Sequence, residues 1–204
     1  MHISILTFDG YNELDSLIAL GILNRIKNKD WRVTIASPES RVKSMNGVVI
    51  ERHVSLTEAS AADAIIVGSG MKTRDVIANN DIMNQLQFDP TKQIIAAQCS
   101  GTLLLAKLGL LNEIPACTDL TTKPWVQEVG INIVEQAFFA SGNIATAGGC
   151  LSSQYLAAWI IARLEGVEAA KEAIYYVAPI GEKEDYVARM MKHITPFLPN
   201  ELSR

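Results

Sequence analysis

The residue best placed to do chemistry is Cys99, in the run Ile94-Ile95-Ala96-Ala97-Gln98-Cys99-Ser100-Gly101-Thr102-Leu103. An apolar, strand-like segment feeds straight into a helical one, with the cysteine at the joint. Small residues, Ala97 and Gly101, stand two positions to either side. A sharp nucleophile turn needs that spacing, because strand and helix approach closely there. At a helix N-terminus the dipole and the free N–H groups favour thiolate, so a thiol pKa below the ordinary ~8.5 is expected. The Ser100 N–H would point into the same space as an oxyanion donor. Cys117 and Cys150 lack this setting and read as small packed hydrophobes. Cys150 follows Gly148-Gly149 at a strand end, which makes Gly149 and Cys150 candidates to line the site.

A thiol nucleophile needs a proton acceptor. His2 opens the first strand, His53 follows a hairpin and His193 lies on the last helix. None stands at the C-terminal end of a central strand, where open α/β sheets bind ligands. Asp15 follows the first strand through the loop Asp9-Gly10-Tyr11-Asn12-Glu13 and would reach that edge. Two readings of Asp15 stay open. It is a first-turn acid worth about 0.3–1 kcal/mol to its own helix, or a carboxyl raised by a nearby thiolate and serving as general acid or base. Gly68-Ser69-Gly70 ends a buried strand, but Thr73 takes the third glycine position of a dinucleotide fingerprint. The Gly70 N–H is a candidate oxyanion donor and Ser69 a candidate lining residue; a plain strand-end turn is the other reading.

The surrounding pattern must position these groups. Strands are expected over His2–Phe8, Arg32–Ser37, Ala64–Val67, Ile94–Gln98, Ala116–Thr118 and Ile131–Glu135. Hairpins are expected at Asn46-Gly47 and between Phe138–Ala140 and Ile144–Thr146. Helices are expected over Leu14–Lys27 (N-capped by Asn12), Asp75–Phe88, Gly101–Leu111, Lys123–Val129, Leu151–Leu164, Val167–Val177 and Glu184–Ile194. Near-continuous apolar strands alternating with helices indicate an α/β fold, a mostly parallel sheet with helices on both faces. The 204 residues suit a single domain over 1–204. A hydrophobic fraction of 49% supports a full core, and aromatics at 6% leave the packing to aliphatic side chains. A net charge of −4 without a basic stripe argues against nucleic acid or an anionic membrane as partner. The N-terminus lacks the pattern of a signal peptide, and three scattered cysteines are not a disulfide framework, so a cytoplasmic location is expected.

Taken together, ILTFDGYNELDSLIALGIL, AIIVGSG, IIAAQCSGTLLLAKLGLL and GNIATAGGCLSSQYLAAWII resemble the ThiJ/PfpI family of the class I glutamine amidotransferase-like fold. The resemblance covers nearly the whole chain, and its most specific part is the cysteine turn. It implies a flavodoxin-like three-layer sandwich, usually a homodimer. It also implies a nucleophile at Cys99, a protonated acid at Asp15 and a glycine turn at Gly68 to Gly70. Two positions depart from many members. Asp119 stands where they carry a histidine, and the residue after the nucleophile is Ser100. The isocyanide hydratase-like branch is similar in relying on the cysteine, the aspartate and a hydroxyl residue beside the nucleophile. The resemblance thus implies an enzyme adding water to a small electrophile through a covalent thioimidate, with Ser100 and Gly70 positioning polar atoms. Its substrate is a small molecule, and no cofactor or metal is expected. Glyoxalase- or deglycase-like work on reactive carbonyls, or redox sensing through Cys99 oxidation, are the alternatives.

Overall fold

The structure is a computed structural model describing residues 1–199, so the domain expected over 1–204 runs five residues past the described part. In chain order the elements are β1 (His2–Leu6), α1 (Glu13–Leu23), β2 (Arg32–Ala36), β3 (Arg41–Lys43), β4 (Val49–Glu51), α2 (Leu56–Ala59) and β5 (Ala64–Val67). Then come α3 (Thr73–Ala78), α4 (Asn80–Met83), β6 (Ile94–Gln98), α5 (Gly101–Lys107), α6 (Lys123–Glu128), β7 (Phe138–Ser141) and β8 (Ile144–Ala147). A 3-10 turn over Cys150–Ser152 leads into α7 (Ser153–Glu165), followed by α8 (Val167–Val177) and α9 (Lys183–Ile194).

Six strands form one sheet in the order β2-β1-β5-β6-β8-β7, parallel except for the β7–β8 hairpin. Strand alternation splits its side chains between two cores. Ile3, Ile5, Ile66, Ile94 and Ala96 face the layer of α1, α7, α8 and α9. Leu6, Ile65, Val67, Ile95 and Ala97 face the layer of α2, α3, α5 and α6. The α/β three-layer sandwich expected from the sequence is therefore the observed fold. Helix α7 is buried continuously from Tyr155 to Ala162. Each large aliphatic side chain there contributes about 1.5–3 kcal/mol by leaving water. No helix among the described residues is long and apolar enough to cross a membrane.

Local chemistry explains both the agreements and the differences. Asn12 caps α1 by accepting the Leu14 N–H, as expected. Asn46-Gly47 lies in the turn that closes the β3–β4 hairpin, with Gly47 at φ +97°. The single helix expected over Asp75–Phe88 is two short ones. Asn79 is extended, and its side chain accepts the N–H groups of Asp81 and Ile82, starting a new helix at α4. The strands expected at Ala116–Thr118 and Ile131–Glu135 reduce to one bridge, Ala116 to Ile133. There the Cys117 N–H donates to the Thr146 side chain instead of extending a ladder.

Register decides what meets what. Leu6 pairs with Val67, Val67 with Ala97, and Ala97 with Thr146. The C-terminal ends of β1, β5, β6 and β8 therefore share one edge of the sheet. The chain leaves β1 for β2 on one side and returns as β5 on the other, so this edge carries the switch point where such sheets open a crevice.

Candidate active site

Cys99 follows β6 directly with φ +48°, in the left-handed region that non-glycine residues rarely adopt. Holding it there costs about 1–3 kcal/mol, which the surroundings must offset. They do so through its backbone. The Cys99 N–H donates to the Ala147 carbonyl at 2.8 Å, and the Cys99 carbonyl accepts from the Thr118 hydroxyl at 2.8 Å and from the Thr102 N–H at 3.2 Å. Gly101 has to be glycine, because a Cβ there would lie 2.4 Å from the Val67 carbonyl oxygen. Among the described residues no protein acceptor meets the N–H of Ser100 or of Gly101, which leaves both for a ligand.

The loop after β1 brings in the acid. The Asn12 N–H donates to the Ser69 carbonyl and the Met71 N–H to the Gly10 carbonyl, stitching this loop to the turn after β5. Asp15, in the first turn of α1, is completely buried. Its Oδ2 accepts from the Ser69 hydroxyl, while Oδ1 has no hydrogen-bond partner among the described residues. A carboxylate oxygen of Asp15, the Cys99 sulfur and the Cys150 sulfur all lie within 4.8 Å of one another. The thiol carries its own donor as well. Gln98 Nε2 stands 3.4 Å from the Cys99 sulfur and 2.8 Å from the Gly149 carbonyl.

The electrostatics differ from the sequence expectation. Burial pushes the Asp15 carboxyl above its ordinary range, against hydrogen bonds that pull it down. The Cys99 thiol, expected below ~8.5, is instead pushed well up, first by burial and then by the Asp15 and Asp119 carboxylates. A helix dipole falls off within its first turn, and α5 is only seven residues long. Two anions this close in a buried site cannot both form readily, so Asp15 and Cys99 act as one coupled pair sharing a proton. A carboxyl is intrinsically far more acidic than a thiol, and at rest the proton stays on sulfur. Burial thus raises both members of the pair, the Asp15 carboxyl and the Cys99 thiol, within 4.8 Å of one another.

The other expected residues fall around this pair. Ser100 and Gly70 come together, but on each other: the Gly70 N–H donates to Ser100 Oγ at 3.1 Å, and Thr73 Oγ1 lies 2.7 Å from the same hydroxyl. The Gly70 N–H is thus engaged and becomes an oxyanion donor only if Ser100 releases it. Asp119 turns its Oδ1 to the N–H groups of Thr121 and Thr122, capping the approach to α6; toward the thiol it contributes charge. The histidines stand elsewhere, as expected. His2 bonds to Thr34, His53 accepts from the Ile35 N–H, and His193 packs on Tyr155.

Sequence reasoning missed Gln98, Thr118 and the second use of Asn12, whose Nδ2 donates to the Cys150 sulfur at 3.2 Å. Gln98 carried a readable signal, an amide at the end of an otherwise apolar strand. Thr118 and Asn12 carried none, since only the fold brings them to the cysteines. Asp15, Cys99 and Cys150 form a donor set that a borderline-soft divalent ion would accept.

The fold recurs in solved structures of low identity. The protein VC2308 superposes with a TM-score of 0.76 at 19% identity, over 92% of this chain and 97% of that one. A mutant of the DJ-1 superfamily protein STM1931 from Salmonella typhimurium gives 0.75 at 19%, over 86% and 97%. DJ-1beta from Drosophila melanogaster gives 0.74 at 21%, over 86% and 96%. No curated protein sequence matches the chain. Residues 1–163 match the DJ-1/PfpI family, and the chain belongs to that family.

Proposed function

We propose that this member of the DJ-1/PfpI family is a cysteine-dependent enzyme that adds water to a small electrophile, an isocyanide in the first instance. The observation that carries the reading is the Cys99–Asp15 pair: a strained, buried thiol whose acid–base partner is a buried carboxylate, with every histidine engaged elsewhere. Amide hydrolysis through a cysteine–histidine pair has no base here.

The proton inventory of the pair suits hydration. Asp15 takes the thiol proton as sulfur attacks the terminal isocyanide carbon, then delivers it to that carbon, giving a thioimidate. The Asp15 carboxylate next removes a proton from water as the water oxygen bonds to the thioimidate carbon. The imidate nitrogen takes up one proton of that water. On collapse the C–S bond breaks, the other water proton returns to the pair, and an N-substituted formamide leaves. The N–H groups of Ser100 and Gly101, without a protein acceptor among the described residues, are the donors this reading assigns to the charge that develops in these steps. Exposed apolar side chains flank the site residues in sequence: Leu14 beside Asp15, Met71 beside Gly70, Leu120 beside Asp119 and Leu151 beside Cys150. They support a substrate with an apolar body behind a small reactive head.

The same reading includes a homodimer working in a reducing cytoplasm. Tyr175, Tyr176, Val177 and Ile180 leave an exposed apolar face beside a cavity of about 940 Å³ between α8 and α9, which favours a covering copy. All three cysteines are free thiols.

The test is intact-mass spectrometry of the wild type and Cys99→Ala after exposure to cyclohexyl isocyanide, with formamide followed in parallel. Product or an adduct in the wild type alone is expected. Turnover that survives in Cys99→Ala overturns the mechanism. Silence toward the isocyanide combined with consumption of methylglyoxal would move the same pair to reactive carbonyls.

A further inference from the structure

Cys150 is the part of the site that the hydration reading leaves idle. It begins the 3-10 turn after Gly149, whose φ of +86° swings the chain back over the end of β6. The residue is half-buried, where Cys99 is buried, and its sulfur lies within 4.8 Å of the Cys99 sulfur. Asn12 Nδ2 donates to the Cys150 sulfur at 3.2 Å, tying it to the loop after β1. Cys117 has none of these features. It is fully buried, outside the cluster, and its thiol is pushed up to about 12 by burial.

We propose that Cys99 and Cys150 form a redox pair, in which Cys150 resolves the sulfenic acid that a hydroperoxide makes on Cys99. The proposal rests on the reading of Cys99 as a reactive nucleophile. In the first step the Cys99 sulfur attacks one peroxide oxygen and the O–O bond breaks. The thiol proton ends on the departing alkoxide, leaving Cys99–SOH and an alcohol, or water from hydrogen peroxide. In the second, Cys150 sulfur attacks Cys99 sulfur; the S–S bond forms, the S–O bond breaks, and the hydroxide leaves with the Cys150 proton as water. A small dithiol in the reducing compartment then exchanges with the disulfide and returns both thiols. A disulfide needs its sulfurs at about 2.05 Å, so they must close by less than 3 Å from the 4.8 Å limit. Rotation of the Cys150 side chain on its short turn supplies that approach. The disulfide would hold Cys99 inactive but recoverable, away from the sulfinic acid that lies further along the oxidation ladder.

The experiment compares full-length wild type, Cys150→Ser and Cys117→Ser. Each is reduced, freed of reductant, treated with one equivalent of hydrogen peroxide, and quenched with a maleimide under denaturing conditions for intact-mass and peptide analysis. Wild type and Cys117→Ser are expected to lose two hydrogen masses, to yield a linked Cys99–Cys150 peptide and to recover with dithiothreitol. Cys150→Ser is expected to gain oxygen on Cys99 instead. Oxygen on Cys99 with a maleimide-labelled Cys150 in the wild type overturns the redox pair and leaves the nucleophile standing. An unmodified, fully labelled Cys99 in all three proteins overturns the reactive-thiol reading on which the pair depends.

Discussion

Asp15→Asn separates the two effects that the buried carboxyl has on Cys99. In the wild type the Asp15 carboxylate removes the thiol proton during attack, yet its charge opposes a standing thiolate. At a separation of 4.8 Å and an effective dielectric of ~20, the repulsion between two unit charges is about 3.5 kcal/mol. That corresponds to about 300-fold in thiolate population, at ~1.4 kcal/mol per tenfold. Asparagine keeps the shape and removes the charge; its oxygen can still accept from Ser69. The variant is therefore expected to be alkylated by iodoacetamide faster than wild type at about pH 8, by as much as two powers of ten, while formamide production falls by two to four powers of ten for want of a general base, ~10²–10⁴-fold. Alkylation needs only the thiolate, whereas hydration needs the proton moved, so the two readouts go in opposite directions. The assay is the pH dependence of the alkylation rate in wild type and variant, with Cys117 and Cys150 replaced so that one thiol reports. Slower alkylation in Asp15→Asn would refute the reasoning, because it would mean that a protonated Asp15 holds a resting thiolate.

The remaining predictions concern stability and the strained turn. Burial raises the Asp15 carboxyl in the folded chain above its unfolded value, so its contribution to stability is full below the unfolded pKa and is lost as pH rises through the folded one. Thermal melts of Asp15→Asn should accordingly exceed wild type at neutral pH, by about 1–3 kcal/mol, with the gap closing toward about pH 4. Gly101→Ala drives a Cβ against the backbone of β5 and should cost about 1–3 kcal/mol or more. Gly21→Ala, with nothing within 4 Å on α1, should instead add about 0.5–1 kcal/mol. Equal melting shifts in the two glycine variants would contradict the close approach at the elbow. Thr118→Val removes a hydroxyl that holds the Cys99 carbonyl; about 1 kcal/mol of stability should go, with a lower rate of formamide production and an intact thiol count. An unchanged rate would show that the turn needs no such support.

What the sequence determined by itself is local and periodic. Near-continuous apolar runs in Ile94–Gln98 and Ala64–Val67 declare buried strands, because side chains on a strand alternate between faces and both faces here are covered. Ala97 and Gly101 around Cys99 announce the sharp turn, since crowding between strand and helix is a property of those few residues. The cap by Asn12 is likewise written within three residues. Tertiary structure decided whatever depends on register and on charge at close range. Only the pairing of Leu6, Val67, Ala97 and Thr146 puts Asp15, Cys99 and Cys150 into one cluster, although 135 positions separate the first from the last. The engagement of Gly70 by Ser100, the grip of Thr118 on the Cys99 carbonyl and the upward push on the thiol have the same origin. A pKa is set by burial and by the nearest charges, and those become fixed only when distant segments pack.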